Sequence, residues 1–207
     1  MIILKKSEIE KIFIALKSGQ IVVFPTETSY GLGCDAANQK AVDKIFKIKK
    51  RPKSKPLLVV ASSVAMAKEY LVWNKTIGKL AKQYWHDPLT IVASLSFRAR
   101  RGIPFRLAAG VVSNNTLALR VTSHPLAKKL CAALGRPLVA TSANIGGEGD
   151  IYNSSDIIKK FAGKKYAPDF LLDAGKLPRR KPSTIVSVKF EKIKIIRQGC
   201  VKISDKR

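Results

Sequence analysis

Apolar positions along this chain fall into two alternating rhythms. Some stretches repeat them every three or four residues, as one face of a helix does; others bring four together, as a buried strand does. Helical spacing over Ile9, Ile12, Phe13 and Leu16 follows Ser7-x-x-Glu10, the pattern of a capping box, and Gly19 supplies a stop. Further helices are predicted over Gln39–Ile48, Val64–Leu71, Ile77–Tyr84, Pro125–Leu134 and Asp156–Phe161. Pro near the first turn of the fourth and Gly135 behind it fit the preferences of helix ends. Short apolar runs predict strands at Ile21–Phe24, Leu57–Val60, Thr90–Ala93, Thr116–Leu119, Pro137–Ala140, Phe170–Leu172, Thr184–Val188 and Ile193–Ile196. Strands interleaved with helices imply an α/β protein with a twisted, mostly parallel or mixed sheet flanked by helices. Residues 98–115 carry the weakest pattern and hold Arg98, Arg100, Arg101 and Arg106, which predicts a mobile basic loop. The tail after Gly199 is short and polar and is expected to fray.

Composition adds a strong bias. Hydrophobic residues make up 46% and charged residues 26% of 207 residues, the profile of a globular protein. One domain spanning 1–207 is expected from that length. Against 14 acidic residues stand 39 Lys and Arg, a formal charge of +25. Such a chain favours polyanionic partners: nucleic acid, nucleotide or an acidic membrane surface. No apolar stretch approaches a membrane span or a signal segment, so a cytoplasmic protein is expected. Cys34, Cys131 and Cys200 are far apart and odd in number, which fits free thiols in a reducing compartment. His86 and His124 alone do not build a metal site.

Four segments could carry chemistry. Pro25-Thr26-Glu27-Thr28-Ser29-Tyr30-Gly31-Leu32-Gly33 follows a strand, where ligands gather in α/β sheets. Its glycines match a dinucleotide fingerprint only loosely, since six residues separate Phe24 from Gly31; a Gly-rich turn with capping hydroxyls is the alternative. In Lys49-Lys50-Arg51-Pro52, Pro52 favours extended chain, which would aim Lys49 and Arg51 into one pocket; a solvated basic loop is the alternative. Ser142 and Asn144 share the same spacing behind a strand, or else form a turn cluster. Pro182-Ser183-Thr184 precedes Arg197 by a distance that a terminal hairpin would close. A P-loop, a G-x-S-x-G elbow and a carboxylate cluster are all missing. Lys, Arg, Ser and Thr suit stabilising charge on phosphate better than abstracting protons.

These segments have a family likeness. PTETSYGLGCDA, KIKKRPKSKPL, WHDPLTIV, TLALRVTSHP, TSANIGG and PSTIV with IIRQG, in this order from about residue 8 to 200, closely resemble the YrdC-type family of threonylcarbamoyl-AMP synthases. The resemblance implies an adenylate-forming nucleotidyltransferase that uses L-threonine, bicarbonate and ATP and releases pyrophosphate. It implies a positively charged concave face. Its K-x-R and S-x-N set falls on Lys49, Arg51, Ser142 and Asn144 as catalytic residues. ATP-binding positions fall on Arg51, Lys55, Thr116, Ser142 and Arg197, and threonine-binding positions on Thr28, Arg120, Ala140 and Ser183. Magnesium is expected with ATP, with no protein metal site. The product would activate threonine for transfer to adenosine in tRNA by partner proteins, with tRNA contact through the basic surface. The chain departs from the family at Lys50, where Gly is frequent, at Val60, where many members have His, at Asp87 before Pro88, and at Ile145-Gly146-Gly147. RNA binding without catalysis, and carbamoyl transfer as in hydrogenase-maturation relatives, are the alternatives.

Overall fold

The computed structural model describes residues 1–102 and 105–203. Its strands are β1 (Ile2–Lys5), β2 (Val22–Pro25), β3 (Tyr30–Gly33), β4 (Val59–Ala61), β5 (Leu89–Ser94), β6 (Val112–Ser113), β7 (Thr116–Val121), β8 (Leu138–Val139), β9 (Thr141–Ser142), β10 (Phe170–Asp173), β11 (Thr184–Lys189) and β12 (Lys192–Arg197). Helices are α1 (Ile9–Lys17), α2 (Gln39–Lys49), α3 (Val64–Tyr70), α4 (Lys75–Tyr84), α5 (Phe97–Arg100), α6 (Pro125–Leu134) and α7 (Ser154–Phe161). Each helix predicted from the pattern is present within a few residues of its expected bounds.

The α/β class holds, but the strands divide into two mixed sheets rather than one. The first has the order β1-β10-β2-β3-β9, with β1, β10 and β2 parallel and β3 and β9 antiparallel. The second runs β12-β11-β5-β7-β4-β8, with β6 pairing β7. Two apolar cores result. One gathers α1 and α6 with Val22, Phe24, Val60, Leu138 and Leu172; the larger takes Val23, Leu32, Val59, Ile91, Leu119 and Val186 with α2, α3 and α4. Val22 and Val23 therefore serve opposite cores, as do Val59 and Val60, because strand side chains alternate faces. Strands buried on both faces read as unbroken apolar runs, which is why β2 and β4 were visible in the sequence.

Helix starts are fixed by side chains on the preceding residue. Asn38 Oδ1 accepts the Ala41 N–H at 3.0 Å, Ser63 Oγ that of Met66 at 3.1 Å, and Asn74 Oδ1 that of Ile77 at 2.8 Å. The expected Ser7–Glu10 box does not form. A 3-10 turn, Lys6–Glu8, precedes α1, and the Glu8 carboxylate accepts the Lys5 N–H at 3.0 Å. Within 98–115, α5 and β6 are ordered elements and Leu107, Ala108 and Val111 are buried; residues 103 and 104 of that predicted loop lie outside the described residues. The tail docks as far as Ile203, since Val201 and Ile203 are buried and the Thr184 hydroxyl donates to Val201 O at 2.7 Å; the rest of the predicted frayed segment also lies outside the described residues.

Candidate functional site

Where the two sheets meet, the loops after β2 and β8 face the open surface of β5, β7 and β11 and enclose a cleft of about 310 Å3. The turn between β2 and β3 forms one wall. Its Thr26 hydroxyl donates to Ser29 O at 2.7 Å and accepts the Thr28 N–H at 3.2 Å, which fixes Thr26, Thr28 and Ser29 on the lining. Behind this turn β3 passes close to β8. A Cβ on Gly33 would meet Val139 O at 2.1 Å, so glycine here serves backbone approach and not a dinucleotide loop.

The cleft floor belongs to the second sheet. Ala118 and Arg120 share one face of β7, beside Val92 and Ile185 on neighbouring strands. Arg120 is buried against Glu27, with Nε 3.3 Å from Oε1. The two atoms are not aligned as donor and acceptor, so the contact is coulombic; the other carboxylate oxygen accepts the Thr122 hydroxyl at 2.8 Å. Val60 is the register partner of Arg120 on β4, but it is buried in the α1–α6 core and does not line the cleft.

The hairpin of β11 and β12 completes the site as its spacing predicted. Arg197 donates through Nη2 to Ser183 O at 2.8 Å and to Ser183 Oγ at 3.2 Å, and Ser183 Oγ also accepts the Thr90 hydroxyl at 3.0 Å. Gly199 makes this possible: a Cβ there would meet Pro182 O at 2.1 Å. Opposite, Arg51 donates from Nε to Lys55 O at 2.7 Å and from Nη2 to Pro56 O at 3.1 Å, which presents its guanidinium to the cleft. Burial lowers the pKa of Arg51, and burial does so for Arg197, where Asp150 acts in the opposite sense.

Of the residues singled out from sequence, Thr28, Arg51, Arg120, Ala140, Ser142, Ser183 and Arg197 therefore line one cleft. Lys49 and Asn144 stand one layer behind. Lys49 ends α2 as a helical residue, not in extended chain, and Lys50 (φ 48°) makes the left-handed turn after it. The Lys49 ammonium is turned into the wall, 2% exposed, while Arg51 faces the cleft, so the two do not share a pocket face. Burial, and then the neighbouring Arg51, pull the Lys49 pKa from 10.5 down to about 8. Lys55 reaches the site through its carbonyl. Thr116 lies on the cleft face of β7 but two residues beyond Ala118, outside the lining. Thr26 and Ser29 stood in the first candidate segment without an assigned role, whereas Asp150 and the apolar floor of Leu58, Val92, Ala118 and Ile185 were missed. Thr26 had a signal in its turn-forming Pro25-Thr26 start; Asp150 had none.

Three guanidinium groups, several hydroxyls and a single lining carboxylate, Asp150, make a site for an anionic ligand. Among the described residues no group of three or more His, Cys, Asp or Glu is placed to hold a metal ion, and no helix is long and apolar enough to cross a membrane. Cys34, Cys131 and Cys200 are free thiols, the first two buried.

Comparison with known proteins shows the family. A protein of Vibrio vulnificus strain YJ016 named threonylcarbamoyl-AMP synthase is 33% identical over 196 residues, covering 93% of this chain and 99% of its own. One of the same name from Photorhabdus laumondii is 34% identical over 179 residues, 85% of this chain and 89% of its own. The solved structure of P. abyssi Sua5 complexed with L-threonine superposes over 96% of this chain with a TM-score of 0.82 and 28% identity; this chain spans 57% of that longer protein. The model of the Sua5/YciO/YrdC family, described as telomere recombination, matches residues 14–199, and to that family this chain belongs.

Proposed function

We propose that this protein is a threonylcarbamoyl-AMP synthase, condensing L-threonine, bicarbonate and ATP into threonylcarbamoyl-adenylate and pyrophosphate. The observation that carries the reading is the convergence of Thr28, Arg51, Arg120, Ala140, Ser142, Ser183 and Arg197 on one cleft from six separate chain segments. The names of its relatives favour it over RNA binding without catalysis and over carbamoyl transfer.

We assign the cleft two halves, which meet where Arg197 is bonded to Ser183. Arg120, with Thr28, Ser183 and the Ala140 backbone, forms a half suited to the carboxylate and hydroxyl of threonine. Arg51, Ser142 and Arg197 form a half suited to phosphate; Lys55 and Thr116, which the resemblance assigns to ATP, lie outside the lining. Bicarbonate condenses with the threonine amine to a carbamate, losing water. A carbamate oxygen then forms the bond to the ATP α-phosphorus as the bond to pyrophosphate breaks. Two anions must be held together, and their repulsion at about 4 Å is roughly 4 kcal/mol at an effective dielectric near 20. Fixed guanidinium groups offset that cost while aligning the reactants.

Magnesium belongs to the MgATP substrate, with phosphate oxygens and water as its main ligands; Asp150 is the lining carboxylate that would face it. Such a reaction fits a cytoplasmic protein acting upstream of a partner that transfers the threonylcarbamoyl group to adenosine in tRNA. A charge of +25 suits contact with that RNA. The test is pyrophosphate release by the pure protein. Release should require threonine and bicarbonate together; threonine-independent release, or none, overturns the reading.

A further inference from the structure

Lys49 has three N–H groups and spends all three inside the wall. Its ammonium donates to Ser142 O at 2.6 Å, Asn144 O at 2.9 Å and Asn144 Oδ1 at 2.7 Å. Its own carbonyl accepts the Gly146 N–H at 2.8 Å. Asn144 is used at both ends: Oδ1 also accepts the Ser142 hydroxyl at 2.8 Å, and Nδ2 donates to Glu148 O and to Gly149 O at 3.1 Å. Residues 142–150 thus form a strap latched at its centre by one lysine. The ends of the strap, Ser142 and Asp150, line the cleft; Lys49 and Asn144 do not.

We infer that Lys49 is a positioning residue: through Asn144 it latches the 142–150 strap so that the Ser142 hydroxyl can pass its hydrogen bond from Asn144 Oδ1 to a phosphate oxygen of the bound nucleotide. The phosphate end of this statement rests on the adenylation reading; the latch does not. A serine hydroxyl has a single proton, and in this structure Asn144 Oδ1 receives it. If Ser142 were the sole donor to that buried amide oxygen, turning the proton toward a ligand would leave the oxygen bare, with the desolvation penalty that follows. The Lys49 ammonium remains on the same oxygen, so the hydroxyl can turn without that loss. Conversely, a Lys49 that reached the phosphates would have to release one of its three acceptors and loosen the strap. The two roles exclude each other and predict different measurements.

Amide hydrogen exchange of the ligand-free protein reads the latch, and titration with MgATP or with threonine alone reads the two halves of the cleft. K49M should speed exchange at the Gly146 amide and weaken MgATP binding, each by about tenfold or more, and leave threonine affinity within about twofold. N144A should do the same, and the K49M/N144A protein should be no worse than either single variant. S142A and R51A should weaken MgATP binding with strap exchange unchanged. Should K49M fail to fold, N144A and S142A carry the same contrast. The inference is overturned if K49M weakens MgATP binding with the strap still protected, if the K49M and N144A losses add, or if the strap loosens and MgATP affinity stays. Wild-type protein that binds no MgATP sinks the adenylation reading and the hydroxyl transfer with it, while exchange still decides the latch.

Discussion

Glu27 and Arg120 meet as a buried ion pair at the floor of the cleft, 3.3 Å apart, with side chains 6% and 5% exposed. Glu27 comes from the turn after β2 and Arg120 from β7, so one contact ties the first sheet to the second. Removing one partner of a buried pair leaves the other uncompensated, at a cost of about 3 kcal/mol. E27Q should therefore lose about that much stability in urea titration and need more threonine for half-maximal pyrophosphate release, with ATP dependence little changed. A variant as stable as wild type with ordinary threonine dependence would show that the pair contributes nothing.

Arg51 and Ser183 separate the two halves of the proposed reaction. R51A should slow pyrophosphate release about 100-fold at saturating threonine and raise the ATP requirement, as expected for a lost charged donor. S183A should raise the threonine requirement about tenfold and leave ATP binding largely intact. The reverse pattern in steady-state kinetics contradicts the assignment of the halves.

Lys49 gives a stability signature that depends on pH. Burial, and then Arg51, lower its pKa to about 8, against the opposing effects of Asp150 and Glu148. Between that value and the ordinary 10.5, the unfolded chain holds a proton that the folded protein has lost. The contribution of this group to stability therefore rises with pH across the window. K49M has no such term, so wild-type stability relative to K49M should improve by about 2 kcal/mol between about pH 7.5 and about pH 9.5. A constant difference between the two proteins across that range contradicts the depressed pKa.

Gly33 reports on the approach of β3 to β8. G33A drives a methyl group into Val139 O and the Phe24 ring, so stability should fall by about 2 kcal/mol or more in chemical denaturation. An unaffected midpoint would mean that the two strands can part without cost.

Much of the fold could be read locally because burial on both faces turns strands such as β2 and β4 into apolar runs, while β11 alternates buried and half-buried positions. β3 is buried on both faces too, but Tyr30-Gly31-Leu32-Gly33 lacks β-branched residues, and its glycines, packed against Phe24 and Val139, hide it from an apolar pattern. β1 pairs with β10 across nearly the whole chain, Ile2 opposite Phe170, and the division into two sheets rests on such distant pairings, which no local pattern encodes. At the site, hydroxyl and guanidinium residues were legible as phosphate chemistry, and the spacing of Ser183 and Arg197 anticipated their contact. Lys49 was legible as important but not in orientation. Pro52 suggested extended chain, whereas α2 runs through Lys49 and the turn falls on Lys50. Asp150 gave no signal because only the strap latched behind it brings it to the cleft.

The most direct test of the account is the identity of the product. Pure protein is incubated with ATP, threonine and 13C-labelled bicarbonate, and the nucleotide fraction is examined by mass spectrometry. The account predicts an adenylate carrying threonine and one labelled carbon, formed in step with pyrophosphate. A threonyl-adenylate without the label, or no adenylate at all while RNA is still bound, contradicts it.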